Sequence, residues 1–348
     1  MSNTGIPRIS DPSGKPRFNR KPAGVYYYSR KKKRLKQFLI GLSTLFILFT
    51  LCFLGFLFAP IEPFESLREL WVTTAMTTLH HQYLATDLFS TAEIQKIMDK
   101  NKATNLGNSH PDDVKTKNTA QNTGIELIDV SQKNFKGYLL KIQNPARVKV
   151  AATRYLGQVG EKAEAIAKEN GAVAVINGGV FEDPQGTGNG GQPLGILISN
   201  GKVLHKDPVS SFDIIGLNRD NVLVLGHYTL EQIKQMNIRD AVTFSPFLVV
   251  DGKPSITQGD GGWGIAPRTA IGQTEDGTIL MLVIDGRQMG SLGATLKDVQ
   301  DIMLQYGAYN VANLDGGASS VLYYRGKMIN HPSSQYGERS IPSFFIVK

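Results

Sequence analysis

Cysteine is all but missing from this chain: Cys52 is the only one in 348 residues, and it falls inside an apolar run. The portion that follows therefore holds no disulfide, no cysteine nucleophile and no thiolate metal site. Histidine is also scarce, with six residues of which His80 and His81 are neighbours and the rest isolated, and no His-Glu-x-x-His spacing is present. That pattern gives no support to a zinc hydrolase. The glycine-rich stretches Gly186 to Gly191 and Gly259 to Gly264 do not open a helix in the Walker arrangement, which argues against a nucleotide phosphate loop and leaves them as movable walls of a pocket. The net charge of +8 is misleading, because residues 1–37 carry eleven Lys and Arg against one Asp and the remainder is nearly neutral. Nucleic-acid binding has no support from such a distribution.

Charge is absent altogether from Phe38 to Ala59, twenty-two residues that match the roughly 30 Å hydrocarbon core of a bilayer. The run is too long and its end too bulky for a cleaved leader, so a single membrane-spanning signal anchor is expected. The basic cluster Arg30 to Arg34 and Lys36 precedes it, placing residues 1–37 in the cytoplasm as a disordered basic tail and everything after residue 60 outside. An exported domain without cysteine fits a Gram-positive cell surface. Residues 60–102 read as a helical stalk on Leu67, Leu70, Trp71, Thr74, Met76 and Leu79, with a capping box at Ser90-Thr-Ala-Glu93. The stalk is either a spacer or a homo-oligomerising element. Residues 103–122, poor in apolar side chains, read as a linker.

From about residue 123 to 348 the texture is short apolar strands separated by Gly, Asn and Asp turns, with amphipathic helices at Gly160 to Glu169 and Leu296 to Tyr306. That composition predicts one α+β domain. Chemistry concentrates at strand ends. Asn310 to Leu314 delivers Asp315, then Gly316, Gly317, Ser319 and Ser320; Thr278 to Ile284 delivers Asp285 and Arg287. Arg268 enters the strand that pairs with the second of these through the turn Thr274 to Gly277, and a further strand ends in Asn177-Gly178-Gly179. Carboxylates, a cation and flexible backbone at one rim describe a candidate active site. Trp263, in the second glycine loop, is either a core filler or a stacking face for a sugar ring.

The ordered set Asn177-Gly-Gly, Pro267-Arg-Thr-Ala-Ile-Gly272, Asp285-Gly-Arg287 and Asn313-Leu-Asp-Gly-Gly-Ala-Ser-Ser320 resembles the phosphodiester glycosidase family over roughly residues 122–348. The resemblance implies hydrolysis of a sugar joined through its anomeric carbon to a phosphodiester, of N-acetylglucosamine type, with a phosphate-containing envelope glycopolymer or exopolysaccharide as the expected partner of an anchored domain. A phosphodiester leaves as a weak base, so a cation and a carboxylate can suffice. On that footing Arg268 is the expected phosphate clamp, Arg287 a second candidate, and Asp315 and Asp285 the carboxylate pair. Asn177, Ser319, Ser320 and the N–H groups of Gly178, Gly179, Gly316 and Gly317 would complete the lining. No cofactor is expected, although a divalent cation held by the two aspartates would turn the site into a phosphodiesterase attacking phosphorus. A non-catalytic polysaccharide-binding module is the remaining alternative.

Overall fold

The computed structural model describes residues 23–116, 124–334 and 337–348. The chain divides into two compact units, Met1–Ala59 and Pro60–Lys348. In the first, a helix runs Ala23–Phe58, and its portion from Lys31 onward is long and apolar enough to cross a membrane. The expected disordered tail is corrected from residue 23 on: Lys and Arg are good helix formers and no proline interrupts the stretch, so the basic run continues the apolar helix. Residues 1–22 of that tail lie outside the described residues.

The second unit is built on three antiparallel sheets. The largest orders its strands Ile125–Asp129, Gly137–Ile142, Ile279–Ile284, Arg268–Thr274, Ala308–Asn313, Phe247–Val250, Lys253–Pro254. Alternation explains its position in the middle of the unit. Ile279, Met281 and Val283 point into a core shared with the other two sheets, where they meet Ile176, Phe345, Leu197 and Ile215, while Leu280, Leu282 and Ile284 point the other way to Val299, Ile302 and Met303 of helix Leu296–Gln305. The second sheet, ordered Lys327–Met328, Leu322–Tyr324, Ala174–Asn177, Ser343–Val347, Val148–Ala152, is covered on its outer face by helix Ala163–Asn170, and the third, ordered Lys202–Lys206, Ile196–Ser199, Ile238–Thr243, Ser211–Asn218, Leu223–Thr229, by helix Leu230–Gln235. The expected hairpin between Arg268–Thr274 and Ile279–Ile284 is present, with Arg268 opposite Ile284. Gly171 closes helix Ala163–Asn170 in the left-handed conformation (φ 60°).

Residues 60–102 do not form a stalk. They fold into helices Phe64–Met76, Tyr83–Thr86 and Thr91–Asn101, the last opened by the expected Ser90–Glu93 capping box. All three belong to the same compact unit as the sheets. Val72, Thr73 and Ala75 are buried on the first helix, whereas Leu67 and Trp71 of the stripe stay exposed. The physical contact is polar and close: Thr73 Oγ1 donates to Asp260 Oδ2, and the Asp260 N–H donates to Asn101 Oδ1 (3.2 Å). The expected linker is likewise applied to the unit as far as residue 116, with Thr104 N bonded to Ser255 O (2.8 Å) and Ser109 buried beside Leu225. Residues 117–122 lie outside the described residues.

Candidate active site

Strand ends of two sheets meet at Asp315, and the segment 177–180 beside it joins the third. Leu314 N donates to Thr269 O (2.8 Å) and Gly317 N to Pro267 O (2.9 Å), which lays the turn 314–317 along the entrance of strand Arg268–Thr274. Asp315 N donates to Gly178 O (3.3 Å), tying the turn to the second sheet, and Val180 N donates to Thr243 O (2.9 Å) at the end of a third-sheet strand. The register sets Arg268 opposite Ile284, next to Asp285, and Ala270 opposite Asn313, two residues before Asp315.

Roles within the rim differ from the expected ones. Asn177 is fully buried and spent on the scaffold: its Oδ1 accepts from Thr269 Oγ1 (2.8 Å) and Val321 N (3.1 Å), and its Nδ2 donates to Asp315 O. Gly178 N and Gly179 N donate to Ser343 O (2.9 Å) and Ser343 Oγ (3.1 Å), so they offer nothing to a substrate. Their glycine identity reflects close approach, since a Cβ on Gly179 would stand 2.6 Å from Thr243 O. Gly317 carries the positive φ of the exit turn (59°), whereas Gly316 is extended and pressed against Pro267 O.

Asp285 is 2% exposed, and its carboxylate accepts from Asn330 Nδ2 (3.0 Å) and His331 N (2.9 Å). It holds the 330–331 segment in place, and no hydrogen bond joins it to Asp315 among the described residues. Burial raises its carboxyl above the usual range, with Asn330 and His331 opposing.

Asp315 is different. Burial pushes its carboxyl up to about 6, against the Ser319 hydroxyl, the Arg339 guanidinium and the Gly316 N–H, which favour the charged form. Ser319 is thus a direct partner of the acid, while the buried Ser320 Oγ has no protein partner among the described residues.

The arginines also exchange places. Arg268 is 3% exposed; its Nε donates to Ala294 O (3.0 Å) and its Nη2 to Trp263 O (2.8 Å) and Gly264 O (2.7 Å). It pins the glycine loop, and burial lowers it to about 10, with Asp260 resisting and Arg287 adding to the fall. Arg287 is exposed, has left-handed backbone (φ 58°), and its guanidinium lies over Gly317, 3.3 Å from where a Cβ would sit. No hydrogen bond or ion pair holds that guanidinium among the described residues. An unpartnered guanidinium beside a second, buried one is an arrangement whose chemistry suits an oxyanion.

Two residues that sequence reasoning missed complete the rim. Arg339 forms a two-pronged pair with Asp183 (2.7 and 2.8 Å), stacks over Phe181 at 5.2 Å and acts electrostatically on Asp315. Burial opposes ionisation of Asp183, but Arg339 and the Gly188 N–H carry its carboxyl below the usual range. Only the fold brings 183 and 339 together. Trp263 is 36% exposed and tilted against Phe244, with ring centroids 6.1 Å apart, so it is no core filler. The glycine loops are walls but packed ones: a Cβ on Gly264 would meet Thr74 at 2.3 Å, and one on Gly190 would meet the Ser340 carbonyl.

Among the described residues, one group has metal-ligand spacing: His110, Asp113 and Asp251. It lies by Tyr309, at the opposite end of strand Ala308–Asn313 from Asp315. A hydrogen-bonded row Ser211, His227, Asp213 also occurs on the paired strands of the third sheet. Its histidine and acid are both exposed, so burial does not fix the imidazole as acyl transfer requires.

Residues 170–348 match the phosphodiester glycosidase family. A prophage-derived uncharacterized protein of Bacillus subtilis, YomE, is 31% identical over 183 residues, covering 48% of this chain and 27% of that protein. The N-acetylglucosamine-1-phosphodiester α-N-acetylglucosaminidase of Bos taurus is 26% identical over 194 residues, covering 49% of this chain and 34% of that enzyme. The chain therefore spans about a third of the length of these curated relatives. The zebrafish N-acetylglucosamine-1-phosphodiester α-N-acetylglucosaminidase catalytic domain, auto-inhibited by its pro-peptide, superposes with a TM-score of 0.56 at 22% identity, covering 67% of this chain and 86% of that one. The α+β fold is shared.

Proposed function

Since this chain belongs to the phosphodiester glycosidase family, we propose that it hydrolyses a sugar-1-phosphodiester of N-acetylglucosamine type, with Asp315 as the reacting carboxylate and Arg287 as the phosphate clamp. The observation that carries this reading is the juxtaposition of a carboxyl raised to about 6 with the unpartnered guanidinium of Arg287, which lies over Gly317 of the turn that carries the acid. Near neutral pH such a carboxyl is mostly ionised yet poorly solvated, the condition for a base or a nucleophile at C1. Ser319 and the Gly316 N–H orient it. The phosphate leaves as a weak base, and Arg287, backed by Arg268, offsets its charge without a proton donor. The partial exposure of Trp263 supports stacking of its indole on a sugar ring.

The substrate class follows from location. Helix Ala23–Phe58 acts as a signal anchor with Arg30 to Lys36 on the cytoplasmic side, and the domain then works outside on phosphate-containing envelope glycopolymers. The test is turnover of N-acetylglucosamine-α-1-phospho-methylmannoside in 18O water, with and without EDTA. Label in the free sugar, unaffected by EDTA, is the expected result. Label in phosphate, or activity lost to the chelator, would replace this reading with attack at phosphorus. Polymer retention without turnover would leave a binding module.

A further inference from the structure

The small hairpin after Asp285 carries Arg287, whose guanidinium has no hydrogen bond or ion pair among the described residues, together with two bulky apolar side chains left in water. Gln288 N donates to Ser291 O and Ser291 N to Gln288 O, both at 3.1 Å, around the two-residue turn of Met289 and Gly290, where Gly290 takes a left-handed φ of 83°. Arg287 N donates to Leu292 O (2.9 Å), so these two residues stand opposite each other on the hairpin. Met289 is fully exposed and Leu292 is 60% exposed. The hairpin is braced and not loose. Ser291 is buried, its Oγ donating to Asp285 O (2.8 Å) and accepting from Lys136 N (2.9 Å), while Leu292 N donates to Asn134 O (2.7 Å) and Gln288 Nε2 to His331 O (3.2 Å). Its base is closed as tightly, since a Cβ on Gly293 would stand 2.6 Å from Ala266 O. The fold thus holds two apolar side chains out in water on the same rigid element as a free cation.

Single exposed apolar residues are ordinary on a protein surface. What sets this pair apart is the guanidinium beside them: the ligand complementary to the hairpin carries an anion and an apolar group together. We propose that Met289 and Leu292 receive the alcohol of the phosphodiester that Arg287 clamps, and that this alcohol is a lipid chain in place of a polyol or a second sugar. The proposal rests on the glycosidase reading, in which one ester arm of the phosphate leads to the sugar at Asp315 and the other arm is left to the clamp's own hairpin. Methionine suits the task, because its unbranched, polarisable side chain adapts to a chain of no fixed shape. An apolar arm also leaves water when it binds, so the hairpin adds affinity that a polyol arm would not gain. Of the phosphodiesters in an envelope, the lipid-linked ones are then the substrates, and Met289 and Leu292 are specificity residues that take no part in the bond cleavage.

Methyl phosphate and butyl phosphate separate the two contributions, because they share the anion and differ only in the alkyl chain. The full chain in phosphatidylcholine nanodiscs is titrated with each by phosphorus NMR, with empty discs as the blank. Butyl phosphate is expected to bind about tenfold more tightly, the effect of withdrawing roughly two methylene groups from water. In the double variant Met289→Gln, Leu292→Gln the two affinities should converge on that of methyl phosphate with the melting temperature unchanged, and Arg287→Ala should weaken both ligands alike. Equal affinities in the wild-type chain, or a butyl preference that survives the double variant, overturn the proposal. The glycosidase reading is checked separately with the methyl and butyl esters of N-acetylglucosamine-α-1-phosphate. A higher kcat/KM for the butyl ester, lost in the double variant, is the expected result. Turnover of both esters with equal kcat/KM keeps the glycosidase and removes the specificity, whereas a butyl preference in binding with turnover of neither ester ends the glycosidase reading and leaves a site for an anionic amphiphile.

Discussion

At the scale of single residues, the rim is a place where charge is held against burial. Asp315 shows the cost most plainly. Its folded-state value of about 6 lies above the unfolded ~4, so between those pH values the folded chain holds a proton that the unfolded chain has lost. Stability is therefore greatest below pH ~4, falls as pH rises to ~6, and stays lower above it, by at most roughly 3 kcal/mol. Asp315→Asn should remove that fall: its melting temperature relative to wild type is expected to rise from pH 4 to pH 7, while turnover drops by about 10²–10⁴. A variant that loses activity without gaining relative stability at neutral pH would contradict the raised carboxyl. Wild-type kcat/KM should climb through an ascending limb near pH 6. The arginines separate by the same logic. Arg287→Ala removes a cation that bonds to nothing in the protein, so kcat/KM falls and the melting temperature holds. Arg268→Lys strips donors from three buried carbonyls and should destabilise by about 1–3 kcal/mol. Equal melting temperatures for the two variants would refute the division. Sequence could rank neither arginine, because both follow Gly or Pro near strand ends; the decision lies with Ala294, Trp263 and Gly264, whose carbonyls only the fold delivers.

At the scale of elements, the alternation along Ile279–Ile284 and the cap signals at Ser90 and Gly171 were legible because they are local: period, cap and turn residue belong to one segment. The helices at residues 64–101 were legible as helices and misread as a stalk for the complementary reason. Periodicity reports that a stripe exists but not what it packs on, and the small polar residues Thr73 and Thr74 are the ones that meet the glycine loop. Gly264 is the hinge of that argument. A methyl there would stand 2.3 Å from the Thr74 backbone, and its φ of 55° strains any other residue. Gly264→Ala should lift helix Phe64–Met76 from the loop that Arg268 pins. Faster proteolysis within residues 60–90, together with loss of turnover, is the expected outcome. Unchanged cleavage would mean that the helix is held elsewhere.

At the scale of the whole molecule, the seven-stranded sheet is the reason that distant motifs meet. It gives one face to a core shared by all three sheets and the other to helix Leu296–Gln305, so its strand ends are fixed from both sides and Asp315 is presented on rigid backbone. The same arrangement makes residues 60–116 part of the fold. Asp260 is buried, and it depends on Thr73 Oγ1 and Asn101 Oδ1 from outside the sheets; Ser109 supplies an acceptor to Leu225 N (2.9 Å) on an edge strand. A fragment beginning near residue 123, the boundary suggested by the composition of the chain, leaves those groups unpaired and loses the buried Val72, Ala75, Ile94 and Ile97. Each buried polar group left without its partner costs about 1–3 kcal/mol. That fragment should therefore melt well below one beginning at residue 60, or fail to stay soluble, and thermal denaturation of the two side by side measures the difference. Coincident melting curves would restore the stalk: the helices would then be cargo between membrane and enzyme, and the rim around Trp263 would stand without them.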